Sequence, residues 1–100
     1  MTFGNSFPLG ASSNASTPEL DAVLVQVGAE VAAAEAKFGP FNSAHEGYSI
    51  LLEEVDELWA HVKVNQKRRD LDAMRQEAVQ IAAMAVRFVR DVCDGGRGRS

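Results

Sequence analysis

Glu53, Glu54 and Glu57 crowd a single stretch of the chain, Leu52-Glu53-Glu54-Val55-Asp56-Glu57. On a helix, residues three or four apart are surface neighbours, so Glu57 stands beside both Glu53 and Glu54. Like charges in that relation destabilise an isolated helix by about 0.2–0.5 kcal/mol per pair. No Lys or Arg stands four residues after any of them, and Glu46, seven residues before Glu53, extends the acidic stripe. A bound divalent cation would offset the repulsion. Glu77 sits at the border of the apolar face of the next helical segment, and carboxylates from two packed helices are how bundle proteins hold metals. Oxygen ligands without paired Cys or His favour magnesium or manganese over zinc. The absence of a Glu-x-x-His pair argues against a di-iron site. The plainer alternative is a solvated acidic face, because Glu46, Glu53 and Glu57 point away from the apolar arc of their helix. Glu54, at the edge of that arc beside Leu58, fits the alternative less well.

Three helical segments must position these groups. The first runs from about Pro18 to Lys37, with Thr17 placed as its cap and Gly39-Pro40 as its stop. Leu20, Val23, Leu24, Val27, Val31 and Ala34 recur at helical spacing and define its expected buried side. The second opens on a capping box, Ser43 with Glu46, and runs to roughly Val64. Tyr48, Leu51, Leu52, Val55, Leu58, Trp59 and Val62 fall within an arc of roughly 120° on it, with Trp59 expected in the core and His61 on the surface. The third begins at Asp70 and continues to about Cys93, with Leu71, Met74, Ala78, Ile81, Ala82, Ala85, Phe88, Val89 and Val92 on its apolar face. The short link from Asn65 to Arg69 predicts antiparallel packing of the second and third helices. The expected fold is an all-α antiparallel bundle of three main helices. Three helices cannot cover all these apolar stripes alone, so homo-oligomerisation into a four-helix type of bundle is the natural completion.

The flanks are different in kind. Residues 1–16 are rich in Gly, Ser and Asn and read as a flexible arm, with Phe3, Phe7 and Leu9 as docking points; residues 95–100 read as a flexible basic tail. One helical domain over 17–94 lies between them. The 100 residues suit a single small domain, and a 46% apolar content is that of a globular protein. No apolar run approaches the length of a membrane span, and a secretory signal is not expected. The single Cys93 suits a reducing cytoplasm. A net charge of −4 without a dense basic face makes nucleic acid a poor partner.

Glu53-Glu54-x-x-Glu57 on one helix, followed by Glu77-x-x-Gln80 on the next, resembles the MazG-like all-α nucleoside triphosphate pyrophosphohydrolases. Their pattern is Glu-Glu-x-x-Glu and then Glu-x-x-Asp. The resemblance covers about Phe38 to Val92. The stretches Phe41-Asn42-Ser43-Ala44-His45-Glu46-Gly47-Tyr48 and Ala78-Val79-Gln80-Ile81-Ala82-Ala83-Met84-Ala85 look like the short single-domain members carried by bacteriophages. It implies cleavage of a nucleoside triphosphate to the monophosphate and pyrophosphate, in the cytoplasm of a bacterial host if the chain is phage-encoded. Phage relatives of this type include enzymes that take dGTP to dGMP. By resemblance, Glu53, Glu54, Glu57 and Glu77 hold two or more magnesium ions (manganese as substitute), and Glu53 orients or deprotonates the attacking water. The assembly expected from the uncovered apolar stripes is a homodimer or homotetramer. Gln80 departs from the pattern: an amide coordinates through its oxygen but adds no charge and cannot act as a base, so either the site works with one fewer anion, or a nearby carboxylate such as Glu46 or Asp56 compensates, or catalysis is lost.

Further residues have paired readings. Glu77, Gln80, Met84 and Arg87 form a stripe in which Met84 either floors a base pocket or packs in the core. Arg87 either reaches a phosphate or is solvated. Asn42 and His45 stand where related enzymes read the base, though His45 also fits an exposed first turn. Lys63, Lys67, Arg68 and Arg69 cluster around the interhelical link, where one or two could meet phosphates. A different class of function stays open as well, a non-catalytic helical interaction module whose acidic stripe binds a basic partner.

Overall fold

The computed structural model describes residues 16–99, and the expected N-terminal arm lies almost wholly outside them. The described chain is all-helical: α1 (Pro18–Lys37), α2 (Ala44–Val62) and α3 (Leu71–Phe88), with a 3-10 turn at Gln66–Arg68. None of these helices is long and apolar enough to cross a membrane. The expected caps form. Thr17 Oγ1 accepts from Leu20 N at 3.1 Å and Asp70 Oδ1 from Ala73 N at 3.0 Å. Ser43 Oγ accepts from Glu46 N at 3.1 Å. The return bond of the capping box is displaced by one residue, since the Glu46 carboxylate accepts from Asn42 N at 2.9 Å rather than from the cap itself.

α3 is the central helix, packed against α2 on one side and α1 on the other. Gly47 meets Phe88 while Glu54 lies near Glu77, so α2 and α3 run antiparallel as expected. α1 runs parallel to α3, tied by Gln26 to Arg75 (2.9 Å), Glu30 to Gln80 (2.8 Å) and Glu35 to Arg90 (3.1 Å). Val27, Val31, Phe41, Ala83, Met84 and Val92 form the buried core.

The helix expected to reach Cys93 changes character before its end. After Phe88 the chain widens into a π-helical turn, Val89–Cys93, in which Asp94 N donates to Val89 O at 2.8 Å. Beyond it Arg97 N donates to Val92 O at 3.0 Å, and Gly96 supplies a left-handed φ of 79°.

Several residues expected in the core are not covered. Leu20, Leu24, Leu71 and Val89 are exposed, as are Tyr48, Leu52, Val55 and, at 58%, Trp59. The reason is geometric. α1 and α2 each pack mainly against α3, and one main neighbour shields a strip narrower than the apolar arc.

Candidate metal centre and adjoining cavity

Three carboxylates converge where α2 crosses α3. Glu54 and Glu57, one turn apart on α2, face Glu77 on α3, and each offers an oxygen within 4.8 Å of the others. Among the described residues this is the one such group of three or more acidic, His or Cys side chains. Glu54 and Glu77 are half-buried, and Glu77 Oε2 is shielded from solvent without a hydrogen-bond partner. An unpaired buried carboxylate oxygen costs about 1–3 kcal/mol or more. Desolvation, then the negative charge of Glu57 and Glu77, pushes the Glu54 carboxyl from an ordinary 4.5 up to about 7. Desolvation and Glu57 also raise Glu77, while His61 acts on it in the opposite sense. His61, expected at the surface, is therefore a half-buried neighbour of the cluster. The donor set fits a hard divalent cation: all oxygen, anionic, and carrying one oxygen that no protein donor satisfies.

Glu54 also belongs to a cavity of about 610 Å³ between the α1–α2 connection, α2 and α3. Four of the expected substrate residues meet there, since Asn42, Gln80, Met84 and Arg87 all line it, with Glu46, Glu53 and Phe41. Glu53 is exposed in this wall and stands outside the three-carboxylate group. The expectation of four converging ligands thus becomes three, with Glu53 at the cavity side. Adjacent helix positions differ by about 100°, so Glu53 and Glu54 cannot share one direction.

Neither Glu46 nor Asp56 joins the three-carboxylate group. Glu46 is engaged with Asn42, and Asp56 is exposed outside the cluster. Instead Gln80 Nε2 donates to Glu30 Oε2 at 2.8 Å, so α1 brings a carboxylate to the residue that lacks one. His45 is exposed and does not line the cavity. Lys63 caps the opposite end of α2, roughly 30 Å from Asn42 at 1.5 Å per residue. Within one protomer it cannot share the cavity with Asn42. Arg69, in the same basic cluster, donates through Nε to Val62 O at 2.9 Å and so closes the end of α2.

Arg87 is neither solvated nor extended toward an open surface. It is 3% exposed, its Nη2 donates to Gly39 O at 2.9 Å, and its guanidinium lies 4.4 Å from the centroid of the Phe41 ring. Asp91, carried on the π-helical turn, accepts from Phe41 N at 3.1 Å. Together they clasp the α1–α2 connection onto α3. Phe41 is 1% exposed, and its ring together with that of Phe88 leaves no room for a Cβ on Gly47, which would lie 3.0 Å and 2.7 Å from their atoms. Sequence patterning passes over Phe41 because it lies between helices. The signal for it was a large aromatic just before a helix cap with a glycine early in the next helix, akin to a hydrophobic staple.

Comparison with protein-family models, curated proteins and solved structures returns no match to this chain.

Proposed function

We propose that the chain is a magnesium-dependent nucleoside triphosphate pyrophosphohydrolase, releasing pyrophosphate and a nucleoside monophosphate. One observation carries the proposal. Glu54, Glu57 and Glu77 converge from two helices, with a buried unpartnered oxygen, directly beside a cavity of about 610 Å³ that Glu54 also lines. The cavity is of the size that takes a small ligand. The motif resemblance supplies the reaction type, and a deoxynucleoside triphosphate such as dGTP is the first substrate to assay.

Glu54, Glu57 and Glu77 would hold the cation. When bound, magnesium (or manganese) neutralises the triphosphate and lowers the pKa of a water nucleophile. Glu53, outside the three ligands and on the cavity wall, is placed to orient that water or take its proton. Glu30, through Gln80, adds negative charge at the position where the resembling family has an acid. Lys63 could serve only a neighbouring protomer. The open apolar seam Tyr48, Leu52, Val55 and Trp59, spaced by four and three residues, supports a homo-oligomer that buries it.

The test is release of pyrophosphate from a panel of nucleoside triphosphates with and without magnesium. Magnesium-dependent release that is lost in Glu57→Gln supports the proposal, and no release from any member refutes it. The interaction-module reading keeps one observation of its own, the exposure of Glu53, Asp56 and Glu57 on α2. It predicts no thermal shift with magnesium and nucleotide together.

A further inference from the structure

Arg87 is a buried cation without a counter-ion. Among the described residues no carboxylate lies within ion-pair distance of it, and its Nε has no hydrogen-bond partner. Nη2 is committed to Gly39 O, and Nη1 meets only the sulfur of Met84, at 3.7 Å. A thioether is a weak acceptor, so the guanidinium is left with strong donor capacity that the protein does not use. Leaving a buried donor unmet is costly, and an oxygen in place of the sulfur would recover much of that loss.

Met84 is itself a lining residue of the cavity, as is Arg87. Its unbranched side chain changes conformation readily. It is therefore a movable cover over a charged donor. The rest of the lining sorts the ligands that could displace it. Glu46, Glu53 and Glu54 share the same walls, and their carboxylates disfavour a bare phosphate there. A phosphate gripped by two N–H groups would also have to share Nη2 with Gly39 O. A neutral ring with one exposed carbonyl oxygen meets neither objection.

We propose that Arg87 is the base-reading donor of the cavity, with a ring carbonyl oxygen of the nucleoside taking the place held by Met84 Sδ. This rests on the nucleotide reading of the site and deepens it by assigning the cavity to the base and the carboxylate cluster to the phosphates. Met84 then acts as a placeholder that keeps the donor dry when no nucleoside is present.

Calorimetric titration of the full chain tests this with three ligands: inosine, purine riboside (the same ring without the carbonyl) and inorganic tripolyphosphate with magnesium. Wild type is expected to bind inosine about tenfold or more tightly than purine riboside. Arg87→Gln should erase that preference while binding magnesium tripolyphosphate as wild type does, and Met84→Leu should keep the preference. Equal binding of the two nucleosides by wild type overturns the inference, as does loss of tripolyphosphate binding in Arg87→Gln, which would put a phosphate on Arg87. If Arg87→Gln fails to fold, the wild-type preference alone decides. Tripolyphosphate binding without any nucleoside binding sinks this inference and leaves the hydrolase proposal standing. Failure of wild type to bind or cleave any triphosphate sinks that proposal itself.

Discussion

The two faces of α2 each carry something a helix in a globular protein does not usually place there. Toward α3 it presents Glu54 and Glu57, which meet a third carboxylate, Glu77. Away from α3 it presents Tyr48, Leu52, Val55 and Trp59, each 40–60% exposed. Burial of apolar groups normally drives folding, and burial of like charges opposes it. Here the carboxylates share the covered face with Ile50 and Leu51, which pack on the core, while a second apolar strip of the same helix has no protein neighbour among the described residues. Neither face is at its lowest free energy in the isolated, cation-free chain. Both become favourable if the first receives a cation and the second a protein surface.

Replacing one cluster carboxylate should separate function from folding most sharply. Glu57→Gln or Glu77→Gln is expected to lower magnesium-dependent pyrophosphate release by roughly a hundredfold or more, because the cation loses an anionic ligand. The same variants should melt at or above the wild-type temperature without magnesium, since each relieves repulsion. Unfolding of both would instead make the cluster a structural element.

The clasp at the start of α2 should show the reverse pattern. Phe41→Ala removes a ring that is 1% exposed and is expected to cost about 3–5 kcal/mol in denaturant unfolding. A cost below about 1 kcal/mol would mean the loop holds without it.

The apolar face calls for a charged substitution. Val55→Lys, at a position 41% exposed, should change monomer stability by about 0.5 kcal/mol or less while lowering the mass measured by sedimentation. An unchanged oligomer would show that the seam is not the interface.

The smallest expected effect is on pH dependence. With the Glu54 carboxyl raised from 4.5 to about 7, the folded chain binds more protons than the unfolded chain between those values. Glu54's contribution to stability is therefore fully present below about pH 4.5 and is lost as pH rises through about 7. Melting temperature without metal should fall from pH 5 to pH 8. Magnesium should remove that fall, because it binds the ionised cluster. In Glu54→Gln the dependence should flatten.

Helix starts were legible because caps are local: Thr17, Ser43 and Asp70 each bond a backbone amide within three residues. The pairing of Glu54 and Glu57 with Glu77 was legible too, since it needs only two antiparallel helices and a short link. Periodicity could find an apolar arc on α2 but could not say how much of it one neighbour covers, and so Trp59 was expected in the core. Contacts between distant segments were the least legible. Glu30 with Gln80, and Asp91 with Phe41, join residues about fifty positions apart, and no local pattern marks either pair. Nor could spacing tell that Arg87 would be buried under the α1–α2 connection.

We propose above that Glu54, Glu57 and Glu77 form a cation site serving triphosphate cleavage. Phosphorus NMR of a deoxynucleoside triphosphate panel incubated with the full chain tests it most directly. Pyrophosphate and monophosphate resonances are expected to grow in magnesium, and to stay absent in EDTA and with Glu57→Gln. No cleavage of any nucleotide by the folded wild-type chain in magnesium would contradict it.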